Sequence, residues 1–301
     1  MSLPESMHVL QRGWLSSNNI LFLGREQTAL VDSGYATHAP QTVELVAHLL
    51  RGRRLDLLVN THIHSDHCGG NAALQQAHGC RTLIPAGVAR AVRDWDDDAL
   101  SYAATGQQCP RFGFDASIAA GDTLMLGDMA WQVLGAPGHD PDSVILHCPA
   151  ERILISADAL WENGFGVIFP ELEGGSGFTE ARATLEQIAS LDLRLVIPGH
   201  GAPFTDVAGA LDRAFRRLDY LAAEPARNAQ NGIKVLVKFR LLERKRITLS
   251  ELRRWMREVP LLAISNRTHL QMDDDALANW TAAQLVKAGA AVIEDGMLVD
   301  R

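Results

Sequence analysis

Within the stretch VNTHIHSDHCGGN, residues 59–71, three histidines and an aspartate fall inside a short span: His62, His64, Asp66 and His67. Neutral imidazole nitrogens and carboxylate oxygens are the ligand set of a borderline divalent cation such as zinc, which they hold at about 2.0–2.2 Å. A single His-x-His pair would say little, because histidine is also an ordinary polar side chain. The full His-x-His-x-Asp-His spacing at the end of an apolar run is far more specific. It points to a bound metal and leaves open how many ions there are and what reaction they serve.

Such a cluster works only if the backbone carries it to one place. LDLLVNTH reads as a buried strand whose C-terminal end runs into the histidines. GNAALQQAHG reads as a helix starting just after them, followed by the strand RTLIP. Upstream, NILFLG and TALVDSG read as two strands joined by a turn at Gly24-Arg25-Glu26-Gln27. APQTVELVAHLLRG has helical apolar spacing and a glycine stop at Gly52. A second strand-rich set follows: DTLMLGDMAWQVLGAPGH, SVILHCP, RILISAD and LRLVIPGHG, each read as one strand. The helix FTEARATLEQIASL precedes the last of them.

From about Asp206 the pattern turns helical. VAGALDRAFRRLDYLAAEP is amphipathic and stops before Pro225. KVLVKFRLLERKR, TLSELRRWMREV and DDALANWTAAQLVKAG read as three further helices, and AAVIEDGMLVDR as two strands about an Asp295-Gly296 turn. Between Arg227 and Arg267 eleven Lys or Arg face three acids, although the whole chain carries a net charge of −8. That asymmetry predicts a separate module, and the expected division is 1–222 and 223–301.

With 301 residues, 47% of them apolar and 21% charged, the chain is an ordinary globular one. No apolar run has the length of a membrane span, and the N-terminus lacks the basic and apolar regions of a secretory signal. The four cysteines are scattered without metal or disulfide spacing. A reducing cytoplasm is the expected location, with no membrane partner.

The His-x-His-x-Asp-His stretch resembles the motif of the metallo-β-lactamase-fold superfamily, and THIHSDHCGGN is similar to its glyoxalase II-like branch. The resemblance runs from about Asn18 to Pro203. It implies an α/β fold, a four-layer αββα sandwich, with a small C-terminal mostly helical, winged-helix-like module. It also implies further ligands from later strand ends, and this chain supplies His139 in LGAPGHDPDSVIL, Asp158 in ILISADAL and His200 in LVIPGHGAPF. Carried over, His62, His64 and His139 would hold one metal. Asp66, His67 and His200 would hold the second, and Asp158 would bridge. Asp32 in ALVDSG would orient a ligand from behind. Two Zn2+ per chain are expected, with iron or manganese as alternatives.

A metal pair roughly 3.5–4 Å apart lowers the pKa of a shared water, so the expected chemistry is hydrolysis by a bridging hydroxide, with Asp66 as the catalytic proton carrier. Cys68 beside the cluster is not expected to be a ligand. Trp161, Glu162 and Phe165 follow Asp158 and are expected at the substrate pocket. The leading expectation is cleavage of a small ester, thioester or lactone-like substrate. A nuclease using the basic tail as a clamp is the alternative, and a mononuclear iron persulfide-dioxygenase-like enzyme is a further one. The preferred role of the tail is a cap over the site or a homodimer interface. Nucleic acid is the less favoured partner, because AVIEDGMLVD is acidic where a wing would meet phosphate.

Overall fold

The structure is a computed structural model and describes residues 2–301. Six strands form the first sheet in chain order: β1 (Met7–Leu10), β2 (Asn19–Leu23), β3 (Thr28–Val31), β4 (Leu57–Val59), β5 (Arg81–Pro85) and β6 (Ala116–Ile118). Strands β1 to β3 pair antiparallel and β3 to β6 parallel. The second sheet holds β7 (Thr123–Leu126), β8 (Met129–Gly135), β9 (Val144–Cys148), β10 (Ile153–Ala157) and β11 (Leu195–Pro198). Its pairs are antiparallel except β10 with β11.

Strand alternation decides how the layers stack. Ile20, Phe22, Val31 and Val59 of the first sheet meet Val133, Leu146, Ile155 and Ile197 of the second in one buried core. The intervening residues point outward. Leu21, Leu30 and Leu58 pack under the helices Ala39–Leu50 and Asn71–His78, while Ile145, Leu154 and Val196 pack under Phe178–Ala189 and Val207–Ala222. Both faces of each sheet are covered, which explains why the strands read as continuous apolar runs. The result is the expected αββα order.

DTLMLGDMAWQVLGAPGH is two strands, not one. Gly127 and Asp128 both take positive φ, +59° and +65°, and this turn folds β8 back on β7. Short elements with little apolar signal also escape the sequence reading: β1, β6, and the helices Ala89–Asp94, Asp97–Leu100 and Tyr102–Thr105.

In the tail, one helix runs from Pro225 to Arg244, starting well before Lys234. Arg246–Thr248 then forms β12, in a stretch that reads as helix by pattern alone. Helices Leu249–Glu258, Pro260–Ser265 and Asp274–Lys287 follow, and β13 (Ala291–Glu294) and β14 (Met297–Asp300) close the chain. The three strands pair in the order β12-β14-β13. Leu236, Leu252, Met256, Leu262, Leu277 and Leu298 form the core of this module, joined by Val167 and Leu172 from the loop after β10.

Candidate metal centre

Strands β3 and β4 run in one direction, and in the second sheet β8, β10 and β11 also share one direction. Their C-terminal ends converge, which is where an α/β sheet leaves a crevice. Asp32 follows β3, His62 to His67 follow β4, His139 follows β8, Asp158 follows β10 and His200 follows β11.

The seven residues fall into two adjoining groups. Ligand-type atoms of His62, His64 and His139 lie within 4.8 Å of one another, and so do those of Asp66, His67, Asp158 and His200. His64 Nδ1 is 2.8 Å from His139 Nε2. His200 Nε2 is 3.0 Å from Asp66 Oδ2. Asp158 stands between the groups: Oδ2 is 3.5 Å from His139 Nε2, and Oδ1 is 3.3 Å from His67 Nε2 and 3.8 Å from His200 Nε2. All but His64 are buried.

Several contacts hold these rings in place. Asp32 accepts from the Thr61 backbone N–H at 2.9 Å and the Thr61 hydroxyl at 2.8 Å. Its Oδ2 lies 2.7 Å from His67 Nδ1, which turns Nε2 towards Asp158. Asp32 itself sits at φ +59°, a strained backbone position held by these bonds. His139 Nδ1 lies 2.5 Å from the Val167 carbonyl, leaving Nε2 to face the cluster. Gly199 has to be glycine, since a Cβ there would come within 2.2 Å of Asp158 Oδ1.

Charge is balanced across the two groups. Burial and the neighbouring imidazoles hold the His62 pKa well below its usual value. His64 and His139 are lowered to about 4, chiefly by burial. These three imidazoles are therefore neutral at pH 7, the form a metal needs. Burial opposes charge on His67 too, but Asp158, Asp32 and Asp66 outweigh it and push its pKa well above the usual range. Burial likewise works against ionised Asp158, and His67 and His200 overcome it.

Unsatisfied atoms show what the donor set lacks. His62 Nε2 and His67 Nε2 are buried without a hydrogen-bond partner. An orphaned buried group costs about 1–3 kcal/mol, a cost that a cation removes. The residues present fit a metal pair.

A profile described as the metallo-beta-lactamase superfamily matches residues 12–200. The chain belongs to that superfamily. Solved structures agree on the fold over the full length. A metallo-beta-lactamase family protein from Thermus thermophilus is 17% identical, with 100% of each chain covered and a TM-score of 0.60. A beta-lactamase domain protein from Burkholderia ambifaria is 18% identical over 100% of this chain and 96% of that one, with a TM-score of 0.58. Among curated superfamily members, the hydroxyacylglutathione hydrolase of Hyphomonas neptunium is 27% identical over 45% of this chain and 50% of its own length. That of a Bradyrhizobium species is 31% identical over 44% of each. The chain thus spans about half the length of the curated relatives it matches.

Like other pockets at strand ends, this superfamily site opens into a cavity, here of about 650 Å3. Asp66, His64, His139, Asp158 and His200 form its floor. Of the three pocket residues read from sequence, Trp161 lines the cavity, and its indole N–H donates to Asp158 Oδ1 at 3.2 Å. Glu162 is exposed outside the cavity, and its carbonyl accepts from Arg213. Phe165 is buried in the core under the second sheet's helices. Between them the loop turns back at Gly164 (φ +124°), where Trp161 and Gly164 pair as a bridge, so neither side chain lines the cavity. Cys68 bonds to the Ile63 carbonyl and approaches the Tyr102 hydroxyl and Cys109 Sγ, outside both ligand groups.

Sequence reasoning misses Trp14, whose ring stacks on His200 at 5.4 Å and 3° and meets Trp161 edge-on. It also misses Phe169, packed against His64 and His139, and Asp140, 3.6 Å from His64 Nε2. A single tryptophan in an irregular segment carries no periodic signal. Asp140 adjoins His139, and its place beside the motif is the one available clue.

Proposed function

We propose that this chain is a hydrolase that holds two metal ions, zinc in the first instance, and cleaves a small ester, thioester or lactone. The observation that carries the reading is Asp158, whose two carboxylate oxygens face different ligand groups. That arrangement suits a carboxylate shared between two ions. In this reading His62, His64 and His139 hold one ion, and Asp66, His67 and His200 hold the other. The hydroxyacylglutathione hydrolase relatives favour a thioester among the three substrate types.

When bound, the metal pair supplies a Lewis acid and a water of lowered pKa. The chain's own residues do the rest. Asp32 fixes the His67 ring, and the Val167 carbonyl fixes His139. Asp66 is kept ionised by His67 and His200 against the effect of burial, and it lines the cavity. Its Oδ2 can therefore take a proton and pass it to the leaving group. Trp14 and Trp161 shield His200 from water.

Residues 1–222 are the catalytic unit in this reading, and 223–301 form a cap that supplies one wall of the cavity. The enzyme works in the reducing cytoplasm, its four cysteines being free thiols. No described helix is long and apolar enough to cross a membrane. The nuclease alternative needs free cations on the tail, but many are engaged within the module. Lys238 and Lys245 both pair with Asp300, Arg240 pairs with Glu243 and Arg253 with Asp275.

Elemental analysis of protein purified without affinity metal or chelator tests the reading. Two zinc per chain, with thioester turnover, is the expected result. One iron per chain with oxygen uptake on a persulfide would sink it in favour of a dioxygenase.

A further inference from the structure

Resting on that hydrolase reading, we propose that the cavity takes a hydrophobic acyl ester or thioester bearing a second, anionic group. The acyl chain would lie against Val235, Phe239, Leu242 and Leu285, and the anion would meet Lys234.

Three observations lead there. First, the helix Pro225–Arg244 places Lys234, Val235, Lys238, Phe239 and Leu242 at the cavity, a spacing that gathers them on one side. Leu285, Ala288 and Ala290, in and after the helix Asp274–Lys287, supply more hydrocarbon, as do Val167 and Phe169. A strongly polar substrate body would leave its hydrogen bonds unmet along such a wall.

Second, three lysines line the cavity and they differ: Lys287 is exposed, whereas Lys234 and Lys238 are half-buried. Lys238 is already engaged, 2.5 Å from Asp300 Oδ1 and donating to the Ala290 carbonyl at 2.6 Å. Lys234 is half-buried, lines the same cavity, and among the described residues has no carboxylate within ion-pair distance. Arg217 is its charged neighbour, and burial and then that like charge lower its pKa. A substrate anion supplies a counterion. Third, the same cavity is continuous with Asp66 and His139, so a chain held at the roof presents its ester end to the floor.

The test uses metal-loaded full-length protein and N-acetylcysteamine thioesters from acetyl to decanoyl, each also with an ω-carboxy or ω-phosphono terminus, beside acetyl-glutathione. The expected kcat/KM rises about two- to fourfold per methylene until the cavity is filled. The ω-anionic series should exceed the neutral one at least tenfold, and whichever anion leads identifies the terminus. Lys234→Met should cut that anionic preference at least fivefold. Ala288→Trp, which fills the roof from an exposed position, should lower the octanoyl-to-acetyl ratio about tenfold. A flat chain-length profile, or acetyl-glutathione turned over faster than octanoyl thioester, overturns the proposal and leaves the hydrolase reading standing. Failure to cleave any ester or thioester with two metals bound overturns the hydrolase reading itself, and the proposal with it.

Discussion

The floor and the roof of the cavity are built on opposite principles. The floor is polar and buried, and its side chains come from strand ends where Asp32, itself held by Thr61, fixes the His67 ring and the Val167 carbonyl fixes the His139 ring. The roof is mostly apolar with a few lysines, sits on helix faces, and has its own core of Leu236, Leu252, Met256 and Leu277. Rigid strand ends hold reacting groups to a fraction of an ångström, whereas a helix face presents shape and hydrocarbon and tolerates exchange. In the proposed reading the reacting groups lie in the floor and the substrate contacts in the roof.

Mutations separate the two. The largest effect belongs to the floor: Asp66→Ala should lower turnover at least about 10²–10³-fold in a protein that remains folded by circular dichroism. Retained turnover in that variant, fully metal-loaded, would count against Asp66 as the proton carrier. In the roof, Leu252→Ala removes a fully buried side chain and should cost about 2–5 kcal/mol in denaturant unfolding. Metal content per folded chain should not change, and metal loss in step with this destabilisation would erase the distinction between the two layers. Asp32→Asn weakens the support behind His67, and chelator competition should find metal affinity down about 10–100-fold. Thr248→Ala breaks the capping box that starts the helix Leu249–Glu258 and should cost about 1 kcal/mol. A change in metal affinity there would mean that roof and floor are coupled.

The same division governs what could be read from the sequence. The floor was legible because His-x-His-x-Asp-His is a local pattern and because β4, β10 and β11 are continuous apolar runs ending at candidate ligands. The sandwich was legible for the same reason. What escaped was information held in three dimensions. The helix Pro225–Arg244 announces itself by composition, yet nothing in its sequence says that Val235 and Phe239 face a cavity while Leu236 and Val237 also join the module core. Phe165 and Glu162 lie within a few residues of Trp161, and a turn at Gly164 sends them elsewhere. Strand β12, three residues long with only Ile247 buried, lay below any pattern-based signal.

The side chain of Asn18 donates to the Pro198 and Gly201 carbonyls, and its backbone N–H donates to the Gly199 carbonyl at 2.7 Å, so the segment entering β2 clasps the turn carrying His200. Contacts of such sequence separation close late, because a long loop must be ordered before they are gained. A chain emerging from the ribosome has all three residues of the three-histidine group synthesised before His200 is made. In the two-metal reading, uptake at the second group is expected as the last metal-binding phase during refolding of the full chain.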